Sequence, residues 1–341
     1  MRWFLNRKME YYPFDTYLAG HGYTREMKRD FGWSFKNVFF YYVRDLEYSY
    51  RSVDDMESLK KYYRKRFNAG LVHKFSLMIE QRSEKMLSIT KKCFGKETNS
   101  VHYLPKLFQS VYDLLAVFQL PELAQYLIPE ANRRLLKKFG LSRETAVKKL
   151  LVAEKIWRGR LGKKLGLPPK QALMLLPSEV LDYAQGGQLP KDFYERRRAV
   201  ILFSKGKTKI LWNKKADEFF HQETGGQKKE VSRKLLGNPA YPGVVSGKAF
   251  VALRPSDFKN IPEGAILVCS TTRYDVVPYL KRVKGIVADQ GGITSHASIV
   301  SRELKIPTIV GTKNGTDSFK TGDKIKLDAN KGIVRKLGNK K

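Results

Sequence analysis

From about Trp33 to Arg197 the apolar residues recur at three- and four-residue steps, the period of helices that bury one face. In Asp54 to Phe67 that face is Met56, Leu59, Tyr63 and Phe67, while Lys60, Lys61, Arg64 and Lys65 turn outward. Asp54 and Glu57 have capping-box spacing. The same period predicts helices over Leu71 to Lys92, Tyr103 to Leu120, Pro121 to Phe139 and Arg143 to Leu165, with Leu167-Pro-Pro opening another. Their stripes of Leu, Phe, Tyr and Met read as core between packed helices. The pattern changes at Ala199-Val-Ile-Leu-Phe and Thr208-Lys-Ile-Leu-Trp, two strands around a glycine turn, followed by a short helix from Lys215 to His221. Glu223 to Lys234 is polar, aperiodic and glycine-bearing, as a linker or hinge would be. The expected organisation is a helical domain (1–198), a β-hairpin with a short helix (199–222), a linker (223–234) and a further domain (235–338).

A chain of 341 residues with 42% hydrophobic and 12% aromatic content is long enough for two domains with buried cores. Its net charge is +32, of which +10 falls on Leu236 to Lys341 and the remaining +22 on the rest. Charge of this size makes nucleic acid, or another anionic partner, the alternative to a solvated lysine-rich surface, although no nucleic-acid motif accompanies it. Cys93 and Cys269 lie outside any disulfide or zinc spacing, which fits a reducing cytoplasm. The opening residues lack the apolar core of a signal peptide. The longest apolar runs, such as Val38 to Val43, are too short to span a bilayer, so no membrane association is expected.

Readable chemistry is concentrated in one place. Gly285-Ile-Val-Ala-Asp289 reads as a strand, Gly291-Gly292 as a tight turn, and Thr294 or Ser295 as the cap of a helix that begins near His296. A histidine in a first helical turn faces backbone amides and the positive end of the helix dipole. Those disfavour its protonated form and welcome an anion on or beside the ring. The other histidines, His21, His73, His102 and His221, have no metal-ligand spacing, and no metal site is expected. Gly206-Lys-Thr imitates the end of a P-loop, but its required first glycine falls at Ile201, so it reads as a hairpin turn.

The run Gly291-Gly-Ile-Thr-Ser-His-Ala-Ser-Ile-Val-Ser-Arg-Glu-Leu resembles the phosphohistidine motif of the swivelling, or mobile, domain of phosphoenolpyruvate-utilising enzymes. That family includes phosphoenolpyruvate synthase, pyruvate phosphate dikinase, enzyme I of the sugar phosphotransferase system and rifampin phosphotransferase. Asn238 to Ala249, Pro262 to Val268, Thr271 to Pro278 and Asp323 to Val334 resemble the domain's other landmarks, in order. The segment from Leu176 to Phe220 more weakly resembles the part preceding that domain. The resemblance implies a multidomain α and α/β protein, with a three-layer β/β/α swivelling phosphohistidine domain over 235–338. It also implies that His296 takes and passes on a phosphoryl group, that Thr294 assists beside it, and that Gly291, Gly292 and Ser295 bind phosphate. The family usually has alanine where Ser298 and Ser301 stand. No ATP-grasp or phosphoenolpyruvate-binding barrel is recognisable. The expectation is therefore a phosphoryl carrier in a split system that binds no cofactor itself, charged by a separate ATP-grasp subunit using Mg-ATP and discharging to an unidentified acceptor. The alternative is an inactive, basic binding or regulatory module.

Overall fold

The structure, a computed structural model, describes all residues except 10, 65, 96–100, 119, 121–132, 226–231, 273, 293–294 and 338–341. The chain divides into two compact units, one of Met1–Leu5 with Tyr11–Thr224 and the other of Gly225–Lys341 with Asn6–Glu10.

The first unit is helical only in part. Strands β1 (Trp3–Met9, of which Trp3–Leu5 belong to this unit), β2 (Asn37–Val43), β3 (Leu46–Ser52), β4 (Arg198–Ser204) and β5 (Lys207–Trp212) form one sheet in the order β1-β3-β2-β4-β5. This corrects the expectation of a purely helical 1–198 followed by a separate hairpin at 199–222, because β2 pairs antiparallel with β4 from Asn37↔Ser204 to Val43↔Arg198. The physical cause is the run Val-Phe-Phe-Tyr-Tyr-Val, whose β-branched and aromatic side chains suit a strand covered on both faces. The turn that follows puts Arg44 and Asp45 at positive φ, 52° and 64°, the geometry of a tight hairpin. One face of β2 packs Val38, Phe40 and Tyr42 into the main core. The other sets Phe39 on Tyr50 at 4.5 Å and Tyr41 on Phe220 at 4.1 Å.

The helices of this unit are α1 (Pro13–His21), α2 (Met27–Phe31), α3 (Val53–Tyr63), α4 (Ala69–Phe94), α5 (Tyr103–Phe118), α6 (Arg133–Leu165), α7 (Pro169–Ala172), α8 (Pro177–Ala184) and α9 (Asn213–Thr224). Most of the expected 121–139 helix lies outside the described residues, and its end is continuous with the helix expected from Arg143. Helices α4 and α6 lie side by side and parallel. Ser142 meets Ser76 at 3.3 Å, Lys149 meets Glu84 at 2.5 Å, and Lys164 reaches the carbonyl of Cys93 at 3.3 Å, so the pairing keeps a nearly constant offset. Glu223 and Thr224 of the expected linker belong to α9 and Lys234 begins the next strand, while residues 226–231 lie outside the described ones. No described helix is long and apolar enough to cross a membrane.

Between α1 and α2, Gly22–Glu26 forms a π-helical turn, and His21 stacks on Tyr112 at 4.2 Å. Burial, followed by the nearby Arg25, lowers the His21 pKa to about 4. The unfolded chain then binds a proton between pH 6.5 and 4 that the folded chain resists, so stability is full at neutral pH and is lost as pH falls through that window. Discounted for the ring's partial contact with solvent, the loss is about 1–2 kcal/mol. Thermal unfolding at a series of pH values should show it in the parent and not in His21→Gln.

The described residues of the second unit form an eight-stranded sheet in the order β6-β13-β12-β8-β9-β10-β11-β7. Its strands are β6 (Lys234–Leu236), β7 (Asn238–Tyr241), β8 (Val244–Ala252), β9 (Ala265–Cys269), β10 (Val283–Ala288), β11 (Thr308–Val310), β12 (Lys324–Asp328) and β13 (Ile333–Lys336). The strands β8, β9, β10 and β11 are successively parallel, while β6, β13, β12 and the first half of β8 form an antiparallel ladder. Helix α10 (His296–Leu304) connects β10 to β11, and the short α11 (Gly315–Ser318) follows β11. Strand β9 is apolar and buried throughout, and β10 is so except for the exposed Lys284, as expected of central parallel strands.

Candidate functional site

The site lies where β9 and β10 end. Beyond β9 the chain continues as Ser270-Thr271-Thr272; beyond β10 it continues as Asp289-Gln290-Gly291-Gly292, with the amides of Asp289 and Gln290 still bonded to the carbonyls of Cys269 and Ser270 at 3.0 and 2.9 Å. The two loops are thereby held next to each other. Gly291 has φ of +111°, and a Cβ there would stand 2.7 Å from the Ser295 hydroxyl, so a side chain at this position would both strain the backbone and strike the cap. Ser295 is the N-cap of α10, its hydroxyl accepting from the Ser298 amide at 3.4 Å, and His296 is the first helical residue. No acidic residue stands in that first turn, so no carboxylate competes for the positive end of the helix.

His296 is half-buried, and its Nδ1 lies 2.9 Å from the hydroxyl of Thr272. Among the site residues read from the sequence, the structure brings Gly291, Gly292, Ser295 and His296 together; Thr294 lies outside the described residues. In the sequence Thr272 stands out only as part of the landmark Thr271 to Pro278. Its proximity depends on the β9/β10 register, a contact 24 residues away in sequence that no local pattern signals.

Two further devices fix the turn. Ser298 is fully buried and donates its hydroxyl to the carbonyl of Gly292 at 2.7 Å. Ser298→Ala should fit the space and cost about 1 kcal/mol through that lost bond, read as a small drop in the midpoint of thermal unfolding. The second device is Asp289, a buried carboxylate that accepts from the Thr316 hydroxyl at 2.6 Å, the Thr316 amide at 3.1 Å, the Thr312 hydroxyl at 3.1 Å and the Gly315 amide. It ties the chain ahead of Gly291 to the loop after β11. Burial outweighs these donors and pushes its carboxyl above the ordinary range. Among the described residues no three His, Cys, Asp or Glu side chains gather as a metal site.

Residues 261–332 match the family model of the PEP-utilising enzyme, mobile domain. That segment holds every site residue named above. Over 179 residues, half of this chain, the sequence is 36% identical to a probable phosphoenolpyruvate synthase of Archaeoglobus fulgidus, of which it covers 24%. The phosphoenolpyruvate synthase of Pyrococcus furiosus is 36% identical over 169 residues, 48% of this chain and 21% of that enzyme. A probable phosphoenolpyruvate synthase of Pyrococcus horikoshii is 47% identical over 107 residues, 31% of this chain and 13% of that protein. The chain thus spans a quarter or less of the length of these relatives.

Proposed function

We propose that this chain is a phosphoryl carrier, taking a phosphoryl group on His296 and delivering it to an acceptor within a system similar to phosphoenolpyruvate synthase. The observation that carries the reading is His296 at the first position of α10, its ring held at Nδ1 by Thr272 behind the Gly291-Gly292 turn. With Nδ1 engaged as donor to the threonine oxygen, Nε2 presents the lone pair. It forms the N–P bond as the donor's bond to phosphorus breaks, and the Nδ1 proton stays where it is. The N–P bond later breaks as an acceptor oxygen or nitrogen takes the phosphoryl group. The amides at the helix entrance stabilise the anion in both steps. The β/β/α layering of a swivelling domain, with a hinge near the end of α9, belongs to the same proposal, as do Thr294 beside the phosphate and Gly291, Gly292 and Ser295 around it.

The donor in this reading is a separate ATP-grasp subunit using Mg-ATP, with no cofactor resident on this chain, and the setting is cytoplasmic. Purified chain incubated with labelled Mg-ATP should remain unlabelled, then acquire an acid-labile label once an ATP-grasp partner is supplied. Labelling by Mg-ATP alone would move the nucleotide site into this chain. No label under any donor would leave a binding module without turnover.

A further inference from the structure

The hydroxyl hydrogens at the entrance to α10 fix which way Ser295 points. Ser298 has one such hydrogen and two oxygens near it. The Gly292 carbonyl at 2.7 Å can only accept, so the hydrogen goes there. The 3.1 Å contact between the Ser298 and Ser295 hydroxyls is then a hydrogen bond with Ser295 as donor. Ser295 also gives its amide to the Gly292 carbonyl at 3.0 Å, and its oxygen accepts from the Ser298 amide at 3.4 Å. Both donors of Ser295 are thus used inside the turn. Gly291 closes in on the same hydroxyl, since a Cβ there would stand 2.7 Å from it. Ser298 is fully buried, so solvent does not compete for its end of this chain of bonds.

We infer that Ser298 is a positioning residue: it withholds the Ser295 hydroxyl from the phosphoryl group on His296 and so keeps that group transferable. The inference rests on the phosphoryl-carrier reading of His296. A carrier has to accept its group and then give it up. A donor that binds the phosphorylated imidazole more strongly than the transition state deepens the ground state and slows delivery. A serine hydroxyl one residue before the imidazole, turned outward, would be such a donor, because hydrogen bonds to charged phosphoryl oxygens are short and strong. Spent on Ser298, that hydroxyl is withdrawn from the anion, which is left to the backbone amides of the helix entrance. The same residue restrains the Gly292 carbonyl, which accepts from Ser295 and Ser298 together and so has its negative end engaged at the start of α10.

The test titrates the full chain, isotope-labelled at histidine, with inorganic phosphate and follows the ring signals by NMR, His296 being the signal missing from His296→Ala. Ser298→Ala should bind phosphate roughly tenfold more tightly than the parent, because the released Ser295 hydroxyl adds one hydrogen bond to a charged oxygen. In the double variant Ser295→Ala, Ser298→Ala that gain should vanish. A merely structural role for Ser298 predicts the opposite sign, since a looser turn binds the anion less well. Phosphoramidate supplies a second readout: the imidazole nitrogen forms its bond to phosphorus as the reagent's own P–N bond breaks and ammonia leaves. Freed of reagent, labelled Ser298→Ala should keep its phosphoryl group about tenfold longer than the labelled parent. Unchanged or weaker phosphate binding in Ser298→Ala overturns the inference, as does a gain that survives in the double variant or the absence of any phosphate-dependent shift at His296. With the tenfold gain in hand, failure of phosphoramidate to label His296 would count against the carrier reading alone and support the withheld hydroxyl.

Discussion

Charged by its donor, the parent chain should carry an acid-labile, base-stable phosphoryl label that falls to background in His296→Ala and persists in His221→Ala. His221 serves as the control because it lies near the end of α9, outside the loops at the ends of β9 and β10. The alanine variant should remain folded, because Ser295 still caps α10 and the buried residues that seat the helix, Ala297 and Val300, are untouched. Its thermal midpoint is therefore the check that the lost label reflects lost chemistry. Thr272→Val should give an intermediate result. Removing one hydrogen bond to Nδ1 frees the ring to turn and to exchange tautomers, slowing labelling by about tenfold for the 1–1.5 kcal/mol such a bond contributes. A label retained in His296→Ala would remove the assignment of the acceptor nitrogen altogether.

The second large effect concerns stability. Asp289→Ala should lower the stability of the second unit by about 3–5 kcal/mol, because three donors, the Gly315 amide and the amide and hydroxyl of Thr316, would be left buried without their acceptor, while the Thr312 hydroxyl keeps the Ala288 carbonyl at 3.2 Å. Denaturant unfolding of the variant should show a lower midpoint, and labelling of His296 should slow as the turn loosens. The pH dependence has a definite sign. A carboxyl held above its unfolded pKa favours the protonated folded state, so its contribution is fully present below the unfolded value near about 4 and is lost as pH rises through the folded value. Unfolding midpoints of Asp289→Ala should lack this component when compared with the parent across the same range. A midpoint equal to the parent's at neutral pH would show that the loop after β11 does not depend on Asp289.

Local features made His296 readable from the sequence. Glycines at the turn, a serine at the cap and a histidine next to it are each residue-type preferences that act within a few positions, and the structure places Gly291, Ser295 and His296 accordingly. Thr272 and Asp289 were not readable as site residues, because their roles arise from strand register: β9 and β10 set the first beside the ring, and β10 with the loop after β11 set the second under Thr312 and Thr316. In the first unit the long amphipathic helices α4 and α6 followed from their period. Strand β2 escaped because its apolar run Val38 to Val43 gives no alternation to recognise, and because Arg44-Asp45 makes a positive-φ turn without glycine; β3 does alternate, Leu46, Tyr48 and Tyr50 against Glu47, Ser49 and Arg51, but lies inside the stretch from Trp33 read as helical. Gly206 does stand in the turn between β4 and β5, beside Lys205 and likewise at positive φ, while Lys207 and Thr208 open β5.

Strand β8 belongs to two ladders at once. Val244 to Lys248 pair antiparallel with β12, and Ala249 to Ala252 pair parallel with β9, so its nine residues form a splice between the halves. Neither half can peel open without loosening the end of the other, which couples them into one cooperative block on the timescale of amide exchange. The splice therefore works as a clasp: a pull on the outer hairpin of β12 and β13 is transmitted along the same backbone that borders β9, whose end carries Thr272. The histidine loop is in this way braced by residues far from it in sequence, and a break in β8 would be felt at the imidazole before any residue beside it had been changed.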